Sequence, residues 1–268
     1  MIEKSKVLTY IDQIPSSQEV IQKAITLLNA GNLEDTASLL QSAPAIVGYL
    51  QDMSKKGVFP IQEKNPSTIM VLTFFGSKKS KALLYTYLIS VMLPKKWRIF
   101  KMDNNLFFEL NADLVHLWEK ILKKESPKNI NRYIAASSLI TASVAICDSI
   151  FGDNEDDINT LRSISEIDFN GLLKYLTDMS IFDIAKIVGE KLAFDSEVIE
   201  IIDYASGLSK NNDTSEIVRL GKFLHLLLFF TLSRSHYIKA GLNNFLKFNS
   251  DSVVSILEEF NTIAEIEN

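Results

Sequence analysis

Apolar residues recur along most of the chain at intervals of three and four, the spacing of one face of an α-helix. The first such run covers residues 20–28. Ser16 precedes it and Glu19 stands three residues after that serine, which is the pattern of a capping box. Gly31 follows the run and can take the left-handed conformation that ends a helix. The pattern therefore predicts a capped helix close to the start of the sequence.

The same spacing predicts helices along the rest of the chain. They cover residues 33–40, 44–53, 66–76, 78–93, 112–124, 131–150, 168–178, 181–192, 195–206, 215–232, 236–247 and 251–265. Asn111 is predicted to cap the helix 112–124, residues 57–65 and 95–107 to be irregular, and residues 153–157 to form a solvated acidic loop. No segment alternates convincingly as a strand would. We expect an all-α protein with two lobes, residues 1–108 and 109–268.

The longest apolar segments indicate a buried core. Residues 131–150 are apolar nearly all round, which is typical of a central helix packed on several sides. The uncharged runs 82–93 and 223–232 are shorter than the roughly 20 residues that cross a bilayer. The second run could form a dimer contact as well as a core. Residues 1–10 do not resemble a secretory signal, so we expect a cytoplasmic protein without membrane contact.

Composition and charge indicate a globular helical protein and limit the kinds of ligand that it could bind. The 268 residues include 47% apolar and 23% charged residues, with only 10 glycines and 6 prolines, as in a globular helical protein. A single cysteine excludes an intrachain disulfide framework. Residues 1–130 carry 17 Lys and Arg against 12 Asp and Glu, although the whole chain has a net charge of -5. The basic part could face phosphates, but its lysines also fit solvated helix faces.

Most catalytic patterns are absent from the sequence. No two glycines are closer than nine positions, which excludes a P-loop and a dinucleotide-binding loop. The three histidines each have a structural interpretation. His116 fits a packed or half-exposed helix position, His225 fits a core position, and His236 fits the surface or the start of a helix. Cys147 and Asp148 form the one local pair of reactive side chains, and a buried thiol beside an acid is usually inert.

Several segments, taken in order, resemble eroded family motifs. Residues 14–20 are similar to an "LPxLPxV" opening, residues 41–46 to "IxxDPxL" and residues 66–76 to a helix that ends at a glycine. In the second lobe, the similar segments are 117–121 to "LWxHS", 142–151 to "AGLLHDIGK", 190–207 to a helix ending in paired histidines, and 218–232 to "LxxLLHLAD". Together these segments resemble the HDOD family, a relative of the HD metal-dependent phosphohydrolases.

The resemblance implies a degenerate metal site. Lys120 and Cys147 stand where active HD enzymes have metal-binding histidines, and Ala205 and Ser206 replace the paired histidines. Asp148 alone keeps an acidic side chain. One carboxylate cannot hold a catalytic metal pair, so the resemblance implies a pseudoenzyme with no catalytic residues, metal or cofactor.

By the same resemblance we expect a bacterial signal-transduction protein that regulates by binding another protein or a nucleotide-like ligand. Lys78, Lys79 and Lys81 are the candidate partner-binding residues. A homodimer is compatible with the apolar helices. Two alternatives remain open: a metal-dependent phosphohydrolase with an unorthodox site near Asp148, Asp183 and His225, and a nucleic-acid-binding scaffold that uses the basic first lobe.

Overall fold

The computed structural model describes residues 2–13, 18–55, 61–127, 130–192, 194–208 and 215–265, and every regular element in these ranges is helical. The prediction of an all-α fold is therefore confirmed. The α-helices are α1 (Lys4–Asp12), α2 (Gln18–Asn29), α3 (Leu33–Leu40), α4 (Pro44–Ser54), α5 (Thr68–Ser90), α6 (Asn104–Glu125), α7 (Ile130–Tyr133), α8 (Ala135–Gly152), α9 (Glu155–Ser165), α10 (Phe169–Thr177), α11 (Ile181–Lys191), α12 (Ser196–Tyr204), α13 (Glu216–Leu232), α14 (Ser235–Lys239) and α15 (Leu257–Ala264). Short 3₁₀ turns cover Leu242–Asn244, Ser250–Ser252 and Val254–Ile256.

The chain divides into two compact units. The smaller unit is Ile14–Met92, and the larger one combines Met1–Gln13 with Leu93–Asn268. The lobes expected from the sequence, 1–108 and 109–268, differ from these units in residues 1–13 and 93–108. The first segment groups with the larger unit because α1 packs against α8, α10 and α11. Residues 93–108 group with the larger unit because the Phe100 N–H donates a hydrogen bond to Asp148 of α8.

The smaller unit contains α2 to α5, with α5 packed against the other three helices. Asn32 caps α3 by accepting a hydrogen bond from the Asp35 N–H over 3.1 Å, and Pro44 begins α4. Gly76 interrupts α5 with φ 69° and ψ 167°, a conformation that non-glycine residues avoid. The two helices predicted over 66–76 and 78–93 are therefore the two halves of α5.

Helix α8 is the centre of the larger unit. Every residue in it except Ser149 is buried, and it packs against α1, α6, α9, α11 and α12. This confirms the prediction of a central helix at residues 131–150, although the short α7 forms its first turn separately. Among the described residues, α8 is the one helix whose length and composition would suffice to cross a membrane, and 94% of it is buried inside the protein.

The last helices enclose α6. Helix α13 packs against α12 and α6, and α15 packs against α6 and α13. The run 223–232 contributes Phe223, Leu224 and residues 226–228 to the buried core. Arg219 on α13 joins these helices, because its guanidinium donates to Glu125 of α6 over 2.5 Å and also to Glu259 of α15.

The predicted start of α6 was wrong. The helix begins at Asn104, where Asp103 accepts a hydrogen bond from the Leu106 N–H over 2.8 Å. Asn111 lies in the middle of the helix and is buried. Starting the helix at residue 104 brings Phe107 and Leu110 onto its buried face, and this burial outweighs the capping preference of Asn111.

Three further predictions need correction, and a fourth lies outside the described residues. The acidic run 153–157 is not a loop, because Glu155 begins α9 and the acids of its first turn interact favourably with the helix dipole. The helix predicted over 236–247 ends at Lys239, since Gly241 takes φ 86°. The predicted helix 251–265 is regular only from Leu257. The capping serine, Ser16, lies outside the described residues.

Candidate functional site

The carboxylate of Asp148 is the most enclosed charged group in the region that the family resemblance marks. Asp148 lies on α8 and is fully buried. The Ile99 and Phe100 N–H groups donate to its Oδ1 over 3.0 and 2.9 Å, and the Arg98 N–H donates to its Oδ2 over 3.1 Å. Three successive backbone donors thus converge on one side chain. Both carboxylate oxygens have partners, and the irregular segment before α6 is attached to α8.

The electrostatics of Asp148 reflect two opposing effects. Burial raises the pKa of the Asp148 carboxyl, because the ion loses its hydration. The hydrogen bonds from Phe100, Arg98 and Ile99 act in the opposite direction, since they favour the ion. A buried carboxylate with three backbone donors is typical of a structural anchor. Within this arrangement, the side chain stabilises a loop.

Cys147, the neighbour of Asp148 on α8, is a free and fully buried thiol. Burial raises the pKa of the Cys147 thiol well above its ordinary value, and the charge of Asp148 raises it further. Because the thiolate is the nucleophilic and metal-binding form, a thiol in this environment is chemically inert. This agrees with the structural interpretation of the pair made from the sequence.

Lys120 takes part in a surface ion pair. It lies on α6, about one third of its side chain is exposed, and its ammonium is 3.0 Å from a carboxylate oxygen of Glu265. Glu265 follows the end of α15 and is itself largely exposed. The position that corresponds to a metal-binding histidine by resemblance therefore links α6 to the end of α15.

Ala205 and Ser206 lie in the turn that ends α12, beside His225 of α13. The His225 Nδ1–H donates to the Ala205 carbonyl over 2.7 Å, and the Asn249 N–H donates to Nε2 over 3.3 Å. These partners require a neutral ring, and burial lowers the pKa of the His225 imidazole accordingly. The ring also stacks on Phe248 at 5.6 Å. His225 is thus a satisfied core histidine, as predicted, and Ser206 accepts a hydrogen bond from the Leu208 N–H.

The turn after α12 is shaped closely around His225. Gly207 has φ 68°, and a Cβ added there would lie 2.8 Å from Cε1 of His225. The side-chain amide of Asn249 donates to the Gly207 carbonyl over 2.6 Å. One histidine and one asparagine therefore hold the turn from two sides, in the place where the family resemblance expects paired metal-binding histidines.

The residues of the alternative phosphohydrolase site each have separate structural roles. Asp183 forms a capping box with Ser180 at the start of α11 and pairs with Lys186 at 3.2 Å. The hydrogen bonds from Ser180 and Lys186 and the charge of Lys186 outweigh burial and keep the pKa of Asp183 below its ordinary value. The described residues contain no group of three or more His, Cys, Asp or Glu side chains placed to hold a metal ion. The structure does not bring Asp148, Asp183 and His225 together in this way.

The two other histidines lie at or near the surface, as predicted for His236, whereas His116 is more exposed than the packed or half-exposed position predicted for it. His116 is exposed on α6. His236 lies in the first turn of α14, and its ring is partly exposed beside Tyr237. In the smaller unit, Lys78 and Lys79 are exposed, whereas the Lys81 ammonium donates to Asn29 over 2.7 Å. Lys79 also lies 4.9 Å from the centre of the Phe75 ring.

A cleft of about 350 Å³ lies next to Asp148 in the larger unit. Of the five degenerate positions, only Asp148 borders it. The charged side chains at the cleft are Lys6, Lys95, Lys96, Arg98, Asp148 and Asp153. Lys95, Lys96 and Arg98 belong to the basic part of the chain, residues 1–130, whose cations were also expected to fit solvated helix faces. The basic residues 95, 96 and 98 are visible in the sequence as a possible anion-binding segment. Lys6 and Tyr10 come from α1, and no local sequence pattern indicates that α1 packs on α8.

Comparison with known proteins identifies the fold. No model of a known protein family matches the sequence, and no curated protein matches it. The crystal structure of an HDOD domain protein with unknown function from Geobacter sulfurreducens is similar to this chain, with a TM-score of 0.59 and 14% sequence identity. The match covers 98% of this chain and 94% of the other. An identity this low establishes the fold alone, and the fold is the one that the sequence resemblance predicted.

Proposed function

We propose that this chain, which has an HDOD-type fold, is a non-enzymatic regulatory protein that acts by binding another protein. The observation that carries the proposal is the hydrogen bonding of Asp148. Asp148 is the one acidic side chain left at the degenerate positions, and both of its oxygens accept backbone hydrogen bonds from residues 98–100. The three backbone donors use three of the roughly four acceptor positions of the carboxylate, so little of its capacity remains for a metal ion.

The other degenerate positions support the same proposal. Cys147 is buried as a neutral thiol, and Lys120 pairs with Glu265 near the surface. Ala205 has no side chain that could bind a metal, and its carbonyl is bonded to His225. Lys120 and Ala205 therefore link neighbouring elements, and Cys147 occupies a buried position of α8. A protein that keeps the fold but uses these positions for packing is suited to recognition rather than hydrolysis.

The surface that we propose for the partner lies on α5 of the smaller unit. Ile69, Met70 and Phe74 are exposed by 36%, 38% and 44% in the first half of α5, where Met70 and Phe74 lie one turn apart. Lys78 and Lys79 are also exposed and lie beyond Gly76, at the start of the second half of α5. Exposed apolar side chains together with two ammonium groups are complementary to a protein segment that presents apolar and acidic side chains.

Two measurements test the absence of hydrolase activity. The purified chain is analysed for bound metal, and it is assayed on bis(p-nitrophenyl) phosphate with added Mn²⁺, Fe²⁺, Zn²⁺ or Mg²⁺. We expect neither stoichiometric metal nor a rate above that of the metal alone. One bound ion per chain together with phosphodiesterase turnover would show that the chain is an enzyme and would reject the proposal.

Partner binding is tested with charge-reversed chains. The wild-type chain and K78E/K79E are used to capture proteins from a lysate of the native organism, and the affinity for each captured protein is then measured with purified material. Lys81 is left unchanged because its ammonium bonds to Asn29. The matched control is K123E/K124E, which reverses two exposed lysines at the end of α6.

We expect a partner whose binding is lost in K78E/K79E and kept in K123E/K124E. Equal affinity of a specific partner for all three chains would move the interface away from α5. If no protein binds the wild-type chain specifically, the proposed function itself is wrong.

A further inference from the structure

The cleft beside Asp148 has a wall with excess positive charge. Four cationic side chains, Lys6, Lys95, Lys96 and Arg98, border it, against two carboxylates. The ammonium of Lys6 is paired with Asp153 at 3.0 Å. Both oxygens of Asp148 accept hydrogen bonds from the backbone of residues 98–100, so this carboxylate is not paired with a cationic side chain of the cleft. The cations that remain available to a ligand are therefore those of residues 95, 96 and 98.

Lys95 and Lys96 are exposed at this cleft. Within the ranges that the structure describes, neither ammonium is joined to a carboxylate in an ion pair. Arg98 uses one guanidinium N–H to donate to the Gly152 carbonyl over 3.1 Å, which fixes the group at the edge of the cleft. The guanidinium also has other N–H groups, and it is the kind of planar fork that binds phosphate oxygens.

The rest of the cleft is apolar with a few hydroxyl groups. Leu93, Pro94 and Ile150 line it together with the ring of Tyr10. The Tyr10 hydroxyl donates to Ser149 Oγ over 2.9 Å, so both of these polar groups are held in place. The volume, about 350 Å³, lies at the lower end of the range of roughly 300–1,000 Å³ that small-molecule sites occupy. Apolar lining residues beside cationic ones fit a ligand that has an apolar group at one end and an anionic group at the other.

We infer that this cleft binds a small organic phosphate whose other end is an aromatic or apolar group, the class to which mononucleotides belong. The phosphate lies against Lys95, Lys96 and Arg98, and the apolar group lies against Leu93, Pro94 and Tyr10. This site is separate from the partner surface on α5. It also differs from the degenerate metal site, because of those five positions only Asp148 borders the cleft.

Isothermal titration calorimetry of the full chain tests the inference with four probes: AMP, GMP, adenosine and inorganic phosphate. The two variants that address the site are K95E/K96E and Arg98→Ala. The second variant removes the guanidinium but keeps the backbone N–H that donates to Asp148. The control is K123E/K124E, which makes the same change in net charge at the end of α6. Circular dichroism melting curves establish that each variant is folded.

We expect saturable binding of AMP or GMP that is tighter than the binding of adenosine or phosphate alone. K95E/K96E should weaken it roughly tenfold or more, Arg98→Ala about fivefold, and K123E/K124E less than about twofold. The absence of saturable binding of both nucleotides at millimolar concentration would overturn the inference. So would an equal loss in the control variant, which indicates unspecific attraction, or phosphate binding as tight as nucleotide binding, which indicates no role for the apolar wall. None of these results depends on the protein partner.

Discussion

The Phe100 N–H donates to Oδ1 of Asp148 over 2.9 Å, although 48 residues separate the two positions. Phe100 is itself buried, and its ring packs edge-on against Phe169 at 5.0 Å and Phe245 at 5.6 Å. This hydrogen bond thus attaches α8 to the loop before α6, and the Phe100 side chain of that loop belongs to an aromatic cluster. Because the same carboxylate also holds Arg98 and Ile99, the loop depends on a single residue for three of its backbone partners.

Asp148→Ala should therefore be strongly destabilising. The substitution leaves three backbone N–H groups without their acceptor in or near the core, and each buried unpaired donor costs about 1–3 kcal/mol. Water can reach part of the vacated space, so we expect a total loss of about 2–4 kcal/mol in the free energy of unfolding. Urea denaturation followed by circular dichroism measures this loss.

The matched control for this experiment is Asp153→Ala. Asp153 lies on the same side of the larger unit, but its side chain is 62% exposed and its described ion pair is the one with Lys6. Surface ion pairs contribute about 0–1 kcal/mol, so the control should be nearly as stable as the wild type. Similar losses in both variants would mean that the backbone bonds to Asp148 do not carry the stability assigned to them.

Gly207→Ala should cost more than Gly241→Ala. Both glycines have positive φ, of 68° and 86°, and both lie in the larger unit. A Cβ at residue 207 would approach His225 to 2.8 Å, whereas a Cβ at residue 241 would have no atom within 4 Å. Left-handed strain of about 1 kcal/mol is common to both, and the steric overlap adds about 1–2 kcal/mol at residue 207. Thermal melts of the two variants measure the difference, and equal melting temperatures would contradict it.

The stability supplied by His225 should depend on pH. Burial lowers the pKa of this imidazole below its ordinary value of 6.5, so the folded protein binds fewer protons than the unfolded chain. The contribution is therefore fully present above pH 6.5 and is lost as the pH falls below this value through the pKa of the folded protein. We expect the stability difference between the wild type and His225→Phe to be largest above pH 6.5 and to shrink in acid.

Urea denaturation of both proteins over a pH series tests this expectation. Above pH 6.5, His225→Phe should lose about 1–3 kcal/mol, because the Ala205 carbonyl and the Asn249 N–H lose their partner. His116→Gln serves as the control, since His116 is exposed on α6. This control should keep the pH dependence of the wild type. A stability difference for His225→Phe that is constant with pH would contradict the assignment of a neutral, bonded ring.

Arg219 should hold α15 in place. Its guanidinium bonds to Glu125, whose side chain is only 11% exposed, and to Glu259 on α15. Arg219→Met keeps the apolar stem but removes both charged bonds, so we expect a loss of about 1.5–3 kcal/mol and faster hydrogen exchange in residues 257–264. Lys120→Met, which breaks a more exposed pair with Glu265, should lose less than about 1 kcal/mol. Unchanged exchange in α15 would reject this role of Arg219.

Much of the fold could be predicted because local signals and tertiary packing agree. Pro44 at the start of α4 and Gly76 within α5 impose their backbone angles wherever they occur. Prediction failed where the sequence offers equivalent local choices. Asn111 and Asp103 are both good caps, and only the burial of Phe107 decides between them. Helix α1 was not predicted, because nine residues form a stable helix only when they pack against distant ones.

The candidate site could be predicted only in part. The degenerate positions were found through motif resemblance, because motifs are local in sequence. Their individual contacts were not predictable, since Lys120 meets Glu265 and Ala205 meets His225 across 145 and 20 residues. The cleft was missed for the same reason. Lys6, Lys96 and Asp153 become neighbours only when three distant segments of the larger unit are packed together.

The division of the larger unit into two stretches has a consequence for synthesis on the ribosome. Helix α1 belongs to that unit, yet the helices that it contacts, α8, α10 and α11, begin only after position 134. An interval therefore separates the synthesis of α1 from the synthesis of its binding surface. The smaller unit, Ile14–Met92, is translated in full during that interval and its four helices contact one another. The order of translation therefore lets the smaller unit form its helix contacts before the residues that bind α1 have been synthesised.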